Sequence, residues 1–226
     1  MSRSAGGRMR TAALCGLASF ALIMISAFVL ARPLWNAPAT GAPPGAIAAY
    51  VHQAHGREVS SLLVYAVGIG LFLCFAAGLW RWLSAIESAP ATMSGVFAFG
   101  TLALAVLILV AFAVAEVMIY RPVSPAIAQT LRDLTFGLLA LSGIPSAVCM
   151  GAYASLVLRH GALARWTGWL ALMGVLAHLL ISVSFLDHGG LLSLEGPLIV
   201  LVPGTFFAWI FAASLALLGA SRPRER

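Results

Sequence analysis

Residues 94–119 read SGVFAFGTLALAVLILVAFAVAEVMI, and this stretch decides the fold. A single ionisable group, Glu116, interrupts it. Its apolar residues run on without the alternation a barrel strand requires. A helix needs roughly 20 apolar residues to cross a bilayer core about 30 Å thick, and this stretch is long enough. Five others meet the same criterion: 11–31, 60–83, 129–157, 166–186 and 197–219. The chain is therefore expected to be an all-α membrane protein. It should form one transmembrane domain over residues 1–226, a bundle of six spans with one sizeable outer loop at 32–59.

Composition agrees. The 226 residues are 62% hydrophobic and 9% charged, whereas soluble domains are about 45–50% apolar and about 25% charged. The net charge of +6 comes from arginine alone, as there is no lysine. The arginines are scattered or terminal and make no basic stripe, which argues against a nucleic-acid partner. Cys15, Cys74 and Cys149 lie within apolar runs with no CxxC spacing, so they read as small packing residues. Arg3, Arg8 and Arg10 resemble the basic start of a signal peptide. The apolar run after them exceeds the usual length of about 7–15 residues, so a retained helix is expected.

Arginine counts set the expected orientation. With the N-terminus inside, Arg3, Arg8, Arg10, Arg81, Arg159, Arg165, Arg222, Arg224 and Arg226 are cytoplasmic, and Arg32, Arg57, Arg121 and Arg132 are outside. Both termini are thus expected in the cytoplasm. Trp80, Trp82, Trp166 and Trp169 fall at the predicted inner boundaries, where amphipathic rings prefer to sit. The outer loop holds Pro33, Pro38, Pro43 and Pro44, which break regular structure. From Ala46 to Glu58 the composition turns helical and predicts a short lead-in to the second span.

The fourth span carries Gly143, Ala147, Gly151 and Ser155 at four-residue spacing, a face that admits another helix closely. It suits packing within the bundle, or a homodimer or partner membrane protein. Pro145 should kink that span, and Pro203-Gly204 the sixth.

Ionisable groups within a membrane suggest function. Here they gather in the expected outer half: Glu116, Asp133, His178, Asp187 and His188, with His52, His55 and Glu58 from the loop. One reading makes Glu116 and Asp187 proton donor and acceptor to a lipophilic substrate, with His178 beside them. Another gives His52 and His55, an HxxH pair, a metal shared with Glu58 or His188. A third treats all of them as hydrated interfacial residues, paired with Arg121 and Arg132. The sequence has no P-loop, HExxH or GxSxG, and only His178 lies deep, which disfavours a bis-histidine haem. No cofactor is expected, and whether the chain is an enzyme is left open.

Leu83–Glu87, followed by Ser94-Gly95-Val96-Phe97-Ala98-Phe99-Gly100, resembles a turn and helix start found in an actinobacterial group of multi-spanning integral membrane proteins. Arg159-His160-Gly161-Ala162-Leu163-Ala164-Arg165-Trp166-Thr167-Gly168-Trp169 resembles the link between two later spans of that group. The likeness runs from about Ala46 to Leu180, and its motifs are topological. It implies a multi-pass protein of a bacterial plasma membrane. The group is of unknown function, so no site residue is carried over. Phe99-Gly100-Thr101 departs from the consecutive glycines common there. The expectation is a non-catalytic accessory, scaffold or regulatory bundle. Its rival is a membrane-embedded enzyme or carrier for a lipophilic small molecule that uses the outer-half carboxylates.

Overall fold

In hydrocarbon every backbone N–H must find its acceptor within its own segment, so long apolar runs fold as helices. The computed structural model of the chain describes residues 3–30, 38, 42–87, 90, 92–120, 123–186, 190, 193 and 198–221. Its helices are α1 (Arg3–Ile25), α2 (Pro44–Ile86), α3 (Thr92–Tyr120), α4 (Pro125–Leu141), α5 (Gly143–His160), α6 (Arg165–Ser182) and α7 (Leu198–Ala220). A π-turn, Ser26–Leu30, extends α1, and a short 3-10 turn, Ser184–Leu186, follows α6. There is no strand among the described residues. Six segments are long and apolar enough to cross a membrane, with α4 and α5 together forming one, Pro125–His160. Gly6 approaches the Ser221 backbone oxygen, so the first and last spans end on the same side.

Three boundaries have a local cause. Ser124 caps α4 by accepting from the Ile127 N–H, with Pro125 in the first helical position, where its missing N–H costs nothing. Gly161 ends α5 in the left-handed region at φ 62°, which favours a residue without Cβ. The expected break in the fourth span falls at Ser142, three residues before Pro145. Pro145 has no N–H to donate to Leu141, where α4 stops. By contrast, α7 remains helical through Pro203.

Helices α1, α2, α3, α5, α6 and α7 pack in that order into a closed ring, α7 returning to α1. Trp209 of α7 is fully buried at its centre. Phe75, Phe97, Tyr153 and Phe206 surround its ring at centroid distances of 5.1–6.4 Å. Lipid is as apolar as leucine, so close packing and buried hydrogen bonds hold such helices together. Ser19 Oγ donates to the Gly68 carbonyl at 2.8 Å, and Ser26 Oγ to the Ser61 carbonyl at 2.8 Å, joining α1 to α2. The hydroxyls of Tyr153 and Thr167 meet at 2.7 Å between α5 and α6. Leu63, Val67, Leu102, Val106, Met173 and Leu176 are exposed on the outside, as lipid contact requires.

The small-residue face of α5 is used inside the chain. A Cβ on Gly143 would lie 2.5 Å from the His178 backbone oxygen of α6. Ala147 is buried, and Gly151 faces Val175 of the same helix. At Gly143, therefore, α6 occupies the space that the homodimer expectation reserved for a second copy. Gly100 lies against the Cys149 backbone, Phe99 points outward, and Thr101 donates to the Phe97 carbonyl.

The break at Ser142 positions the site. Where α5 lies between α3 and α6, α4 leans across α3 and reaches α2. The lead-in expected at 46–58 is continuous with the second span, and α2 runs unbroken for 43 residues. Its first turns continue beside the α3–α4 turn, where Ile47 and Val51 pack on Met118, Ile119 and Ala128.

Candidate ligand-binding site

Where α2, α3 and α4 meet, they enclose a cavity of about 180 Å³. Helix α2 contributes Tyr50, Val51, Glu58 and Leu62, and α3 contributes Phe112, Ala115, Met118 and Ile119. Helix α4 contributes Arg132, Thr135, Phe136 and Leu139. The four residues of each helix recur at helical spacing, so each helix turns one face to the space. Most of them are apolar. The exceptions include two charges of opposite sign on facing helices.

Those charges are withdrawn from solvent. Glu58 is 6% exposed and Arg132 is 7% exposed. Arg132 lies two turns inside α4. Its Cζ lies 5.5 Å from the centroid of the Phe136 ring, a cation–π arrangement, and a terminal nitrogen donates to the Pro38 carbonyl. Its Nε is buried with no hydrogen-bond partner among the described residues. Leaving a buried donor unmade costs about 1–3 kcal/mol. Ser184 Oγ and Trp209 Nε1 are also without a partner among the described residues, and of the three residues Arg132 is the one that lines this cavity. Across the cavity, the Tyr50 hydroxyl donates to Glu58 Oε1 at 2.9 Å. Burial and the adjacent carboxylate push the Tyr50 phenol above its ordinary value, so Tyr50 stays a donor. Each charge is thus held by a third group, Tyr50 or Pro38, and the space between them can accept a guest.

A second, larger hollow of about 540 Å³ lies beside the first and shares Val51, Met118 and Ile119 with it. It is lined by His52 and His55. Both histidines are exposed, and His55 Nδ1 lies 3.0 Å from the Ile119 carbonyl oxygen. The HxxH pair therefore shares a face as expected. Glu58, one turn on from His55, is bonded to Tyr50 and borders the smaller cavity. Among the described residues, no three His, Cys, Asp or Glu side chains are grouped to hold a metal.

The other expected residues separate as well. Glu116 is exposed on α3 and lines neither cavity. His178 is 5% exposed. Its Nδ1 donates to the Gly174 carbonyl at 2.9 Å, and its ring packs against Phe206 at 6.0 Å. It is a satisfied packing residue of the ring. Asp187 and His188 lie outside the described residues.

Sequence reading passed over Arg132 as a site residue. Its span was started at 129, which puts the guanidinium at the membrane edge. Ser124-Pro125, an N-cap followed by proline in the first helical position, was the available signal. It starts the helix four residues earlier and places Arg132 two turns inside.

The opposite end of the bundle holds its polar groups differently. The Met93 and Ser94 N–H groups donate to Glu87 Oε1 and Oε2 at 2.7 and 2.8 Å, capping α3. Desolvation, the largest single influence, raises the Glu87 carboxyl, but the bonds from Ser94 and Met93, with the nearby His160, together outweigh it and hold the group below its ordinary value. Trp82 Nε1 donates to the Ala162 carbonyl at 2.9 Å. Arg8, Arg10, Arg81, Arg159 and Arg165 are all exposed there.

No protein-family model, curated protein or solved structure matches the chain.

Proposed function

We propose that this polytopic membrane protein binds a small lipophilic molecule between α2, α3 and α4, by shape and polar contacts and without covalent chemistry. The observation that carries this reading is the apolar cavity bordered by Glu58 and Arg132, with Arg132 Nε unbonded among the described residues. Binding pockets combine apolar walls with a few placed polar groups, and this cavity has that composition. At about 180 Å³ it is smaller than the usual ligand pocket of about 300–1,000 Å³. It suits a head group and the first carbons of a chain whose remainder lies among lipids.

The accessory or scaffold role rested mainly on the small-residue face of α5. Since α6 covers that face at Gly143, the weight moves from recruiting a partner to holding a ligand. Arginines exposed at the end shared by the termini support placing that end in the cytoplasm of a bacterial cell, with the cavity in the outer half of its plasma membrane.

Ala115 borders the cavity, so Ala115→Trp should fill it. Native mass spectrometry after extraction in mild detergent is expected to find a reproducible small-molecule adduct on the wild type. The correctly folded variant should lack it. Equal adducts on both proteins would overturn the reading.

A further inference from the structure

The charges around the cavity specify the head group. Arg132 presents an Nε–H that has no partner among the described residues, and Glu58 presents a carboxylate with one oxygen engaged by Tyr50. Both residues are more than nine-tenths buried and border the same space. Together they carry no net charge. An ionic head of either sign would meet one attractive and one repulsive neighbour, and would lose its hydration without compensation. A hydroxyl meets both groups, since its oxygen accepts from Arg132 Nε–H and its proton is donated to Glu58. The remaining walls, among them Leu62, Phe112, Met118 and Leu139, suit methylene groups.

Resting on the binding role proposed above, we infer that the cavity takes an apolar molecule with an uncharged, hydroxyl-bearing head, of the monoacylglycerol or long-chain alcohol class. No bond is made or broken on binding.

The test uses the full chain in mild detergent and three probes with the same C18 chain: monoolein, oleic acid and oleylamine. Each is titrated and followed by native mass spectrometry. Monoolein is expected to bind about tenfold more tightly than either charged probe. Arg132→Lys keeps the charge but removes the Nε–H fork, and should weaken monoolein about tenfold. Glu58→Gln retains the shape and an acceptor for Tyr50 but leaves Arg132 as the only charge. It should bring oleic acid to at least the affinity of monoolein.

Failure to retain monoolein, equal binding of all three probes, or an unchanged order in folded Glu58→Gln would overturn the inference. Ala115→Trp separates the two levels. If it releases the probes while Glu58→Gln keeps the wild-type order, the head group is wrong and the binding role stands. If it binds all three like the wild type, the binding role fails and this inference with it.

Discussion

The two ends of the bundle treat charge in opposite ways. At the end shared by the termini, arginines are exposed and the one capped carboxylate, Glu87, is bound by backbone N–H groups. At the other end, Arg132 and Glu58 are buried about a cavity, and Arg132 Nε has no partner among the described residues. The first arrangement anchors helices at an interface, where an arginine head stays hydrated. The second keeps charge in a costly place, which a purely structural bundle has no need to do. Residue type alone does not separate the two ends, because arginine serves both. Depth along the helix does.

Stability should follow this contrast. Arg132→Ala leaves Glu58 buried beside Tyr50 alone and is expected to cost about 3 kcal/mol. Arg165→Ala, on an exposed residue, should stay within about 0.5 kcal/mol. Both are measured by thermal unfolding in detergent, and equal losses would erase the difference between the ends. A second contrast lies along α5, whose first residue adjoins the break. Gly143→Leu forces a side chain onto the α6 backbone and should cost about 2 kcal/mol. A Cβ at Gly151 would meet only Val175, at 3.7 Å, so Gly151→Leu should be milder. A Gly143→Leu protein as stable as the wild type would mean that α6 does not pack there.

Smaller effects sharpen the picture of the satisfied end. Trp82→Phe removes the bond to Ala162 and should cost about 0.5–1 kcal/mol without changing ligand adducts at the far cavity. Glu87→Gln should cost about 0.5 kcal/mol at neutral pH and flatten the acid limb of the stability profile. The folded protein holds this carboxyl below its ordinary value of 4.5. Its contribution is therefore complete above that value and disappears as pH falls through the lower folded one. A wild-type acid limb retained in Glu87→Gln would assign the effect to another group.

The spans were legible because hydrocarbon imposes one solution on any long apolar run. The stretch 94–119 becomes Thr92–Tyr120, and 60–83 becomes His55–Ile86, each extended by a turn or less at most ends. The fourth, Pro125–His160, likewise begins four residues before its expected start. That shift hid the depth of Arg132. The site was far less legible, because helix rotation and tilt depend on packing. Glu58 had been grouped with His52 and His55 from spacing along one helix. It is bonded instead to Tyr50 of the same helix and shares its cavity with Arg132 of α4. Glu116 was expected at a cavity for its depth alone, yet it faces outward, while Ala115 and Ile119 on either side face in.

The length of α2 carries a mechanical consequence. An unbroken helix of 43 residues is about 65 Å long, roughly twice the thickness of the bilayer core. Tyr50 and Glu58 are near one end of this rod, and Trp82, latched to the α5–α6 turn, is near the other. A rod with no hinge cannot tilt at one end alone. The cavity residues Tyr50 and Glu58 and the Trp82–Ala162 bond therefore belong to one continuous helix that joins the two ends of the bundle.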